Sequence, residues 1–438
     1  MTSQLSIHNA RMIDGAIVDI AVTDGVISSI TGARDPKADA ASSAHSIDAQ
    51  HNLLIPGLVD LHTHLRQPGK EGAETVLTGS QAAVLGGFTA VSAMANTSPV
   101  ADTAGVVEQV ARLGREAGLC DVFPIGAVTI GLEGKALAEL SAMAQSQAGV
   151  RVFSDDGHCV HDPLIMRRAL EYVKAFGGVI AQHAQEPRLT EGAQMNEGVV
   201  SSRLGLTGWP AAAEEAIIAR DILLAQHVQS RLHICHLTTK GGVELVRWAK
   251  AQGINVTAEV TPHHLLLTDE SANGYDAVFK VNPPLRANED VLALRAGLAD
   301  GTIDIVATDH APHSSDSKEC EWDVAAFGML GLETALSVVA EAMISTGKMD
   351  WATLVTRMSS APALIGGYTD HGTIAVGSRA NLAIIDTEAL WEVDRNRQAS
   401  KSKNTPFHGR TLPVKVMHTI FNGTHVVSNG ELTGMKYE

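Results

Sequence analysis

The stretch LLIPGLVDLHTH, residues 53–64, is a largely apolar run that ends in two histidines one residue apart. Apolar runs of this kind are typical of strands that are buried on both faces, as in a parallel sheet covered by helices. Eight such runs alternate with helix-like segments along the chain: residues 53–64, 88–96, 122–129, 150–156, 179–184, 232–237, 254–260 and 304–310. This order predicts an α/β protein built on a (β/α)8 barrel of the TIM type.

Both ends of the chain carry shorter strand-like runs separated by turn signals. These runs are residues 5–13, 16–22 and 26–30 at one end, and 373–377, 380–386, 416–421 and 424–427 at the other. Asp24-Gly25 and Asn422-Gly423 are strong hairpin signals between two of these runs. We therefore expect the ends to meet in one small composite β-sandwich domain. The predicted domains are residues 1–54 (sandwich, first part), 55–366 (barrel) and 367–438 (sandwich, second part).

The composition describes an acidic protein with a substantial core. Hydrophobic residues make up 45% of the 438 residues, and the formal net charge is −16. Because such a surface repels nucleic acids and anionic membranes, we expect neither as a partner, whereas local cations could still hold a small anionic substrate. The first residues carry no early Lys or Arg followed by an apolar core, and the sequence has no uncharged apolar run of about 18 residues, so we expect neither a secretory signal nor a transmembrane helix. Four scattered cysteines without a CxxC pair predict reduced thiols and a cytoplasmic location.

Several of the eight runs end in ionisable residues. Since the active site of such a barrel lies at the carboxyl ends of its strands, these residues should converge at one mouth. His62 and His64, two positions apart on a strand, would face the same side. Alone, this pair is more typical of ordinary packing or solvent contact. Together with His183, His236 and Asp309 at other strand ends, it predicts a site for Zn²⁺ or a similar divalent ion.

The number of candidate ligands indicates two ions, because one ion needs about three protein ligands. Two divalent ions that share a carboxylate activate water and polarise a carbonyl group. Asp155 or Asp156 would supply the shared carboxylate. Read alone, the segment Asp155-Asp156-Gly157 is equally typical of a turn. Both interpretations can hold, because neighbouring strand residues point to opposite faces.

Arg66 follows the two histidines and could form a bidentate pair with a substrate carboxylate. Asn96 and His313 lie just beyond other strand ends, although an asparagine in this context is more often a turn residue. An arginine beside a two-metal site that cleaves amides implies an anionic substrate.

Two longer motifs are DLHTHLRQPG at residues 60–69 and ATDHAPH at residues 307–313, the second followed by Lys318. They resemble the two signatures of the dihydroorotases, within the amidohydrolase superfamily. Further matches, in the expected order along the whole chain, are NTSP (96–99), FSDDG (153–157), VNPPLR (281–286), AFGMLGLET (326–334) and GTIAVGSRANLAIID (372–386).

The resemblance implies a cyclic amidohydrolase that interconverts N-carbamoyl-L-aspartate and L-dihydroorotate in pyrimidine (UMP) synthesis, with two Zn²⁺ per chain. It implies these metal ligands: His62, His64, Asp156, His183, His236 and Asp309. Asp309 would also be the catalytic acid and base, passing a proton from the attacking hydroxide to the departing ring nitrogen. The residues implied to contact substrate are His64, Arg66, Asn96, Asn282, His313, Phe327 and Gly328.

One departure from the wider superfamily is informative. Hydantoinases, allantoinases and some dihydroorotases bridge their metals with a carboxylated lysine, but residues 150–157 contain no lysine. The chain therefore resembles the branch with aspartate there, and the spacing to His183 favours Asp156. Alternatives are another cyclic amidohydrolase, or a silent scaffold for aspartate carbamoyltransferase. Because every ligand is kept, that partnership is expected only in addition to catalysis, with the chain as a homodimer.

Overall fold

The computed structural model describes residues 4–32 and 45–434. Residues 1–3, 33–44 and 435–438, which belong to the predicted composite domain, lie outside the described residues. The strands, numbered in chain order, are β1 Gln4–Arg11, β2 Ile17–Thr23, β3 Val26–Gly32, β4 Ser46–Asp48, β5 Leu53–Pro56, β6 Leu58–Thr63, β7 Phe88–Ala93, β8 Asp121–Pro124, β9 Val152–Phe153, β10 Val179–Gln182, β11 Met195–Asn196, β12 Gly208–Trp209, β13 Leu232–Ile234, β14 Val256–Val260, β15 Ile305–Val306, β16 Leu382–Glu392, β17 Thr411–Phe421, β18 Thr424–Ser428 and β19 Glu431–Leu432.

The helices alternate with the barrel strands, as the sequence predicts. They are α1 Val76–Leu85, α2 Ala104–Ala117, α3 Leu140–Gln145, α4 Pro163–Val173, α5 Val199–Leu204, α6 Ala211–Val228, α7 Lys240–Ala251, α8 Pro262–Leu266, α9 Asn288–Asp300, α10 Ser315–Lys318, α11 Ala335–Val339, α12 Trp351–Val355 and α13 Ala361–Gly366. Within the described ranges, no helix combines the length and apolar character that a membrane crossing requires.

Eight parallel strands of the described chain close into the predicted barrel. β6, β7 and β8 pair in that order, as do β9, β10, β13, β14 and β15. Parallel bridges join the two groups, from Gly126 to Phe153 on one side and from Thr63 to His310 on the other. The carboxyl ends of all eight strands therefore open on one mouth.

The run at residues 53–64 is not one barrel strand, contrary to our expectation. β5 pairs antiparallel with β16, whereas β6 pairs in parallel with β7. Gly57 lies between them against Thr89, whose Oγ1 would be 2.2 Å from any Cβ added at this position. The chain thus leaves the composite sheet at a glycine that packs against the barrel, and β5 belongs to that sheet through Pro56, beyond the predicted boundary at residue 54.

The two chain ends meet in one hydrogen-bonded sheet, which confirms the composite β domain. Its strand order is β19-β18-β17-β16-β5-β1-β2-β3, with β4 beside β1. Both predicted hairpins form, with left-handed φ angles at Asp24, Gly25, Asn422 and Gly423. The expected strand at residues 373–377 does not form, because glycines with positive φ, Gly372 and Gly377, place this segment in a turn before β16.

Candidate active site

The six predicted metal ligands lie together at the mouth of the barrel. They come from the carboxyl ends of five strands: His62 and His64 from β6, Asp156 after β9, His183 after β10, His236 after β13, and Asp309 after β15. None of the six is more than 5% exposed. Ionisable side chains buried this deeply need partners, and here they are partners of one another.

Asp156 is at the centre of this group. One of its carboxylate oxygens, Oδ1, lies 3.3 Å from His62 Nε2, from His183 Nδ1 and from His236 Nε2. Its other oxygen, Oδ2, lies 3.2 Å from His64 Nε2. Burial by itself would raise the pKa of Asp156, but the facing histidines lower it well below its usual value. The side chain is therefore an anion that four imidazoles surround.

Asp155 points away from this group, so the two neighbouring aspartates have different surroundings. Its Oδ1 accepts hydrogen bonds from the backbone N–H groups of Val128 (2.7 Å) and Thr129 (3.0 Å), and its Oδ2 accepts one from the Thr129 hydroxyl. The Asp155 side chain anchors the segment after β8, whereas Asp156 faces the histidines. The Asp155 carbonyl group accepts from His158 N–H (2.8 Å), so the predicted turn also forms.

Asp309 completes the group from the opposite side of the mouth. Its Oδ1 lies 3.0 Å from His64 Nε2 and 3.4 Å from His62 Nε2. Burial opposes its ionisation, but His62 and His64 lower the pKa of Asp309 to about 2. At neutral pH it is a carboxylate beside two imidazoles, which suits a metal ligand or a proton acceptor.

The donor set fits a divalent cation. Among the described residues, the buried His62 Nε2 makes no hydrogen bond, although it faces two carboxylates. Because buried polar atoms almost always have a partner, this nitrogen is available to bind a ligand. Two groups of candidate ligand atoms share Asp156, each with its atoms within 4.8 Å of one another: His62, His64 and Asp156, and Asp156, His183 and His236. Nitrogen and carboxylate donors in such groups are the ligands that Zn²⁺ and similar ions prefer.

Glu259, on β14, is a residue of this site that the sequence did not reveal. Its carboxylate accepts hydrogen bonds from His62 Nδ1 (2.5 Å), His233 Nε2 (3.0 Å) and the backbone N–H of His236 (3.1 Å). A carboxylate that holds the far nitrogen of a ligating imidazole fixes the ring's tautomer and orientation. The only sequence signal was a carboxylate in the mostly apolar β14.

We expect Glu259→Gln to weaken metal binding by about 10- to 100-fold, because the amide nitrogen cannot accept the histidine N–H groups. Metal titration of the chelator-treated protein, with a colorimetric competitor, measures this change. Glu171→Gln, on α4, where the half-buried carboxylate pairs with Arg167 and Arg168, is the matched control and should bind metal like the unchanged protein. Unaltered affinity in Glu259→Gln would show that this carboxylate does not orient His62.

Asp60 joins the two sequence signatures directly. Its buried carboxylate accepts hydrogen bonds from the backbone N–H groups of His62 (3.2 Å) and Thr308 (2.9 Å) and from the hydroxyl groups of Thr63 (2.8 Å) and Thr308. Burial raises the pKa of Asp60, and the hydrogen bonds from Thr308 oppose that rise. This bonding fixes the end of β6 against the segment that carries Asp309.

Arg66 and His313 lie together at one side of the mouth. Arg66 Nε donates to Pro312 O (3.1 Å), and Arg66 Nη2 is 3.4 Å from His313 Nε2, which itself donates to Phe327 O (2.7 Å). Burial lowers the pKa of Arg66 to about 10, so it stays a cation at neutral pH. Burial and the Arg66 charge lower the pKa of His313 to about 3, so its ring is neutral. The pair presents one buried positive charge to the mouth.

The two predicted asparagines also border the site. Asn96 Oδ1 is 3.0 Å from His64 Nδ1, which ties it to a candidate ligand. Asn282 Nδ2 donates to Gln185 Oε1 (3.3 Å), and the same Gln185 atom lies 2.7 Å from His183 Nε2. Among the described residues, the buried Asn282 Oδ1 has no hydrogen-bond partner. It is an acceptor available to a ligand.

The backbone is strained at three of the residues discussed. Arg66, His236 and Asp309 have φ angles of 61°, 28° and 44°, in the left-handed region that side chains other than glycine rarely adopt. Conformations of this kind cost about 1–3 kcal/mol and cluster at functional sites. Here they aim two candidate ligands and the buried cation into the mouth.

Four other histidines in or near the barrel loops lie outside this group of candidate ligands. His310 faces away from the site and lies 3.4 Å from Glu74. His158 and His161 are exposed in the loop after β9. His263 is buried near the mouth, and burial lowers its pKa to about 4, but it belongs to neither group of ligand atoms around Asp156.

Comparisons with known proteins show what the chain as a whole is similar to. A family profile described as "Dihydro-orotase-like" matches residues 51–242. A protein of Streptomyces coelicolor named dihydroorotase is 62% identical, over 98% of this chain and 100% of its own length. The dihydroorotase of Mycobacterium tuberculosis is 53% identical, over 96% of this chain and 97% of its own length. Among solved structures, L-hydantoinase (dihydropyrimidinase) from Arthrobacter aurescens has a TM-score of 0.86 at 26% identity, over 99% of this chain and 97% of that one.

Proposed function

Because this chain belongs to the dihydroorotase family, we propose that it interconverts N-carbamoyl-L-aspartate and L-dihydroorotate. It is a cyclic amidohydrolase, so the reaction closes or opens one amide bond of a six-membered ring. The observation that carries the proposal is the buried Arg66 cation, which lies beside a set of metal-ligand side chains at the same barrel mouth. A carboxylated cyclic amide needs both features.

The substrate carboxylate binds at Arg66. The guanidinium still has N–H groups beyond the one that Pro312 O accepts, and a carboxylate can accept two of them. His313 and Asn96 border this position and complete the carboxylate pocket. Asn282 Oδ1, buried without a partner among the described residues, accepts a ring N–H group. The backbone of Phe327 and Gly328 forms the wall next to the ring.

Asp309 moves the proton. In hydrolysis, the attacking water loses a proton to the Asp309 carboxylate, the ring carbon–nitrogen bond breaks, and the departing nitrogen takes that proton. Cyclisation reverses each step: the Asp309 carboxylate takes a proton from the attacking carbamoyl nitrogen and gives it to the departing hydroxyl group, which leaves as water, so Asp309 again ends as a carboxylate. Its position 3.0 Å from His64 Nε2 keeps it beside the metal-ligand group through both steps.

The ions are two Zn²⁺, by our proposal. His62, His64 and Asp309 would hold one, His183 and His236 would hold the other, and Asp156 lies beside both sets of histidines. When bound, such ions lower the pKa of water and polarise the substrate carbonyl group. The shared carboxylate of Asp156 supports the count, and the nitrogen and oxygen donors support the identity.

Turnover of dihydroorotate by the zinc-loaded protein, followed by ultraviolet absorbance, tests the function. We expect activity in both directions, loss of activity after chelator treatment and recovery with Zn²⁺. Metal analysis should give about two ions per chain. A zinc-loaded protein with no detectable turnover of either substrate would contradict the proposal, and would revive the silent scaffold.

Hydrolysis of hydantoins or dihydropyrimidines is the second candidate, because the structural likeness to the Arthrobacter aurescens L-hydantoinase extends over 99% of the chain. Those ring substrates lack the carboxylate that Arg66 would bind. A panel of dihydroorotate, dihydrouracil, hydantoin and allantoin separates the candidates. Preference for an uncharged ring would favour the second.

Arg66→Met should lower kcat/KM for dihydroorotate by about 100-fold or more, since it removes the charge-assisted hydrogen bonds to the carboxylate. The change should appear mainly in KM and equally in the inhibition constant of orotate. Arg112→Met, in an exposed ion pair with Glu116 on α2, controls for loss of one arginine and should behave like the parent protein. An unchanged KM in Arg66→Met would show that the substrate carboxylate does not bind at this side of the mouth.

The proposal includes the setting of the reaction. We place it in pyrimidine (UMP) synthesis in the cytoplasm, carried out by a homodimer that can also associate with aspartate carbamoyltransferase. The support for this setting is family membership. Because the described chain contains all six candidate metal ligands, we expect the association to accompany catalysis and not to replace it. Sedimentation measurements on the purified protein test the dimer, and co-purification tests the association.

A further inference from the structure

One segment of the composite domain crosses to the mouth of the barrel. It comprises residues 398–405, between β16 and β17, and we call it the 398–405 segment. Its backbone N–H groups donate to the carboxylates of Glu333 (2.9 Å) and Glu74 (3.1 Å), both on barrel loops. Ser402 Oγ donates to Ala73 O (2.7 Å). The segment is therefore fixed to the barrel at several points, unlike an ordinary surface connection.

Asn404 is the residue of this segment that reaches the substrate pocket. It is 5% exposed, and its Oδ1 accepts a hydrogen bond from the His313 backbone N–H (3.2 Å). Its Nδ2 donates to Ala311 O (3.0 Å) and to Gly328 O (3.2 Å). Its own carbonyl group accepts from Leu330 N–H (3.2 Å). One side chain thus joins two separate loops of the barrel mouth.

Those two loops form the carboxylate and ring walls of the proposed pocket. The first carries His313, whose ring faces Arg66 and donates to Phe327 O. The second carries Gly328, with φ 149°, where an added Cβ would lie 2.8 Å from the His313 ring. Because the two loops are this close, a small shift of either one changes the position of the His313 ring relative to Arg66.

We propose that Asn404 is a positioning residue for recognition of the substrate carboxylate, acting from the composite domain through His313 and Gly328. Asn404 itself does not contact the reacting atoms, because all the groups proposed to move protons or hold metal lie on the barrel. The inference rests on the proposed function, because it assigns His313 and Gly328 to the substrate pocket.

Asn404→Ala removes the three side-chain hydrogen bonds. We expect KM for dihydroorotate to rise about tenfold, with kcat within about threefold of the parent value and the metal content unchanged. The orotate inhibition constant should rise in parallel with KM. Ser402→Ala is the matched control, since it removes a hydrogen bond between the same segment and the barrel away from His313, and its KM should not change.

A double-mutant cycle separates positioning from general loosening. In the His313→Ala background, adding Asn404→Ala should change KM by less than about threefold, because the His313 ring, whose position both loops determine, is gone. If Asn404→Ala does not fold, Asn404→Asp replaces it: the acceptor for His313 N–H is kept, the donor to Ala311 O and Gly328 O is lost, and the same rise in KM is expected.

Three results would overturn the inference while the enzyme remains a dihydroorotase. They are an unchanged KM in the Asn404 variant, the full tenfold rise in the His313→Ala background, and an equal rise in Ser402→Ala. Failure of the parent protein to turn over dihydroorotate would instead contradict the proposed function. The two failures are therefore distinguishable in one set of assays.

Discussion

Replacing Asp309 with asparagine should reduce kcat for dihydroorotate by about 10³-fold or more, in both directions of the reaction. The amide has nearly the same shape and keeps one oxygen toward His64, but it cannot accept a proton from water. It also removes a negative charge that His62 and His64 stabilise in the parent protein, where they lower the pKa of this carboxyl group to about 2. Steady-state assays on the zinc-loaded variant measure the loss.

The metal content of the variant shows whether the loss of activity comes from lost metal or from lost proton transfer. Because Asp309 is also a proposed ligand, the assay is done with excess Zn²⁺ and the bound metal is counted in parallel. Asp304→Asn is the matched control at the opposite end of the same strand, where the carboxylate binds Lys250 Nζ (2.7 Å) and the Ala258 N–H (2.8 Å). It should cost about 1–2 kcal/mol of unfolding free energy and leave kcat within a few-fold. Full activity of Asp309→Asn with metal bound would show that Asp309 does not transfer the proton.

Most of the barrel follows from local sequence patterns. The eight apolar runs repeat with helix-like segments between them, so their number and order predict the closed sheet. The candidate ligands were also predictable, because His62 and His64 share a face by strand alternation and the other ligand-type residues end later runs. The hairpins at Asp24-Gly25 and Asn422-Gly423 follow from turn chemistry alone. In each case the deciding interaction lies within a few residues.

The residues that the sequence did not reveal depend on contacts between distant segments. Glu259 lies on β14 and contacts His62, and nothing near position 259 specifies that partner. Asn404 is in another domain from His313. The strand break at Gly57 depends on Thr89, a residue of the next barrel strand. The periodicity of apolar residues predicts which face of a strand a side chain occupies, but it does not identify the residue from a distant segment that this side chain contacts.

The choice between Asp155 and Asp156 shows the same limit, since the two are adjacent and chemically identical. Strand alternation requires them to face opposite ways, but it does not say which one faces the site. The structure places Asp156 beside four histidines and Asp155 against Val128 and Thr129. The two aspartates therefore give a matched pair of substitutions whose effects should differ in kind.

Asp156→Ala should abolish metal-dependent activity, with a loss of about 10³-fold or more and with fewer than two metal ions retained per chain, because both groups of ligands lose their shared oxygen donor. Asp155→Ala should retain its metal and most of its activity, but lose about 2–4 kcal/mol of unfolding free energy, because two N–H groups and a hydroxyl group lose their acceptor. Metal analysis, dihydroorotate turnover and denaturant unfolding of both variants measure this contrast. The reverse pattern, with metal lost in Asp155→Ala, would assign the bridge to Asp155 and contradict the geometry, since only Asp156 contacts His183 and His236 from one oxygen.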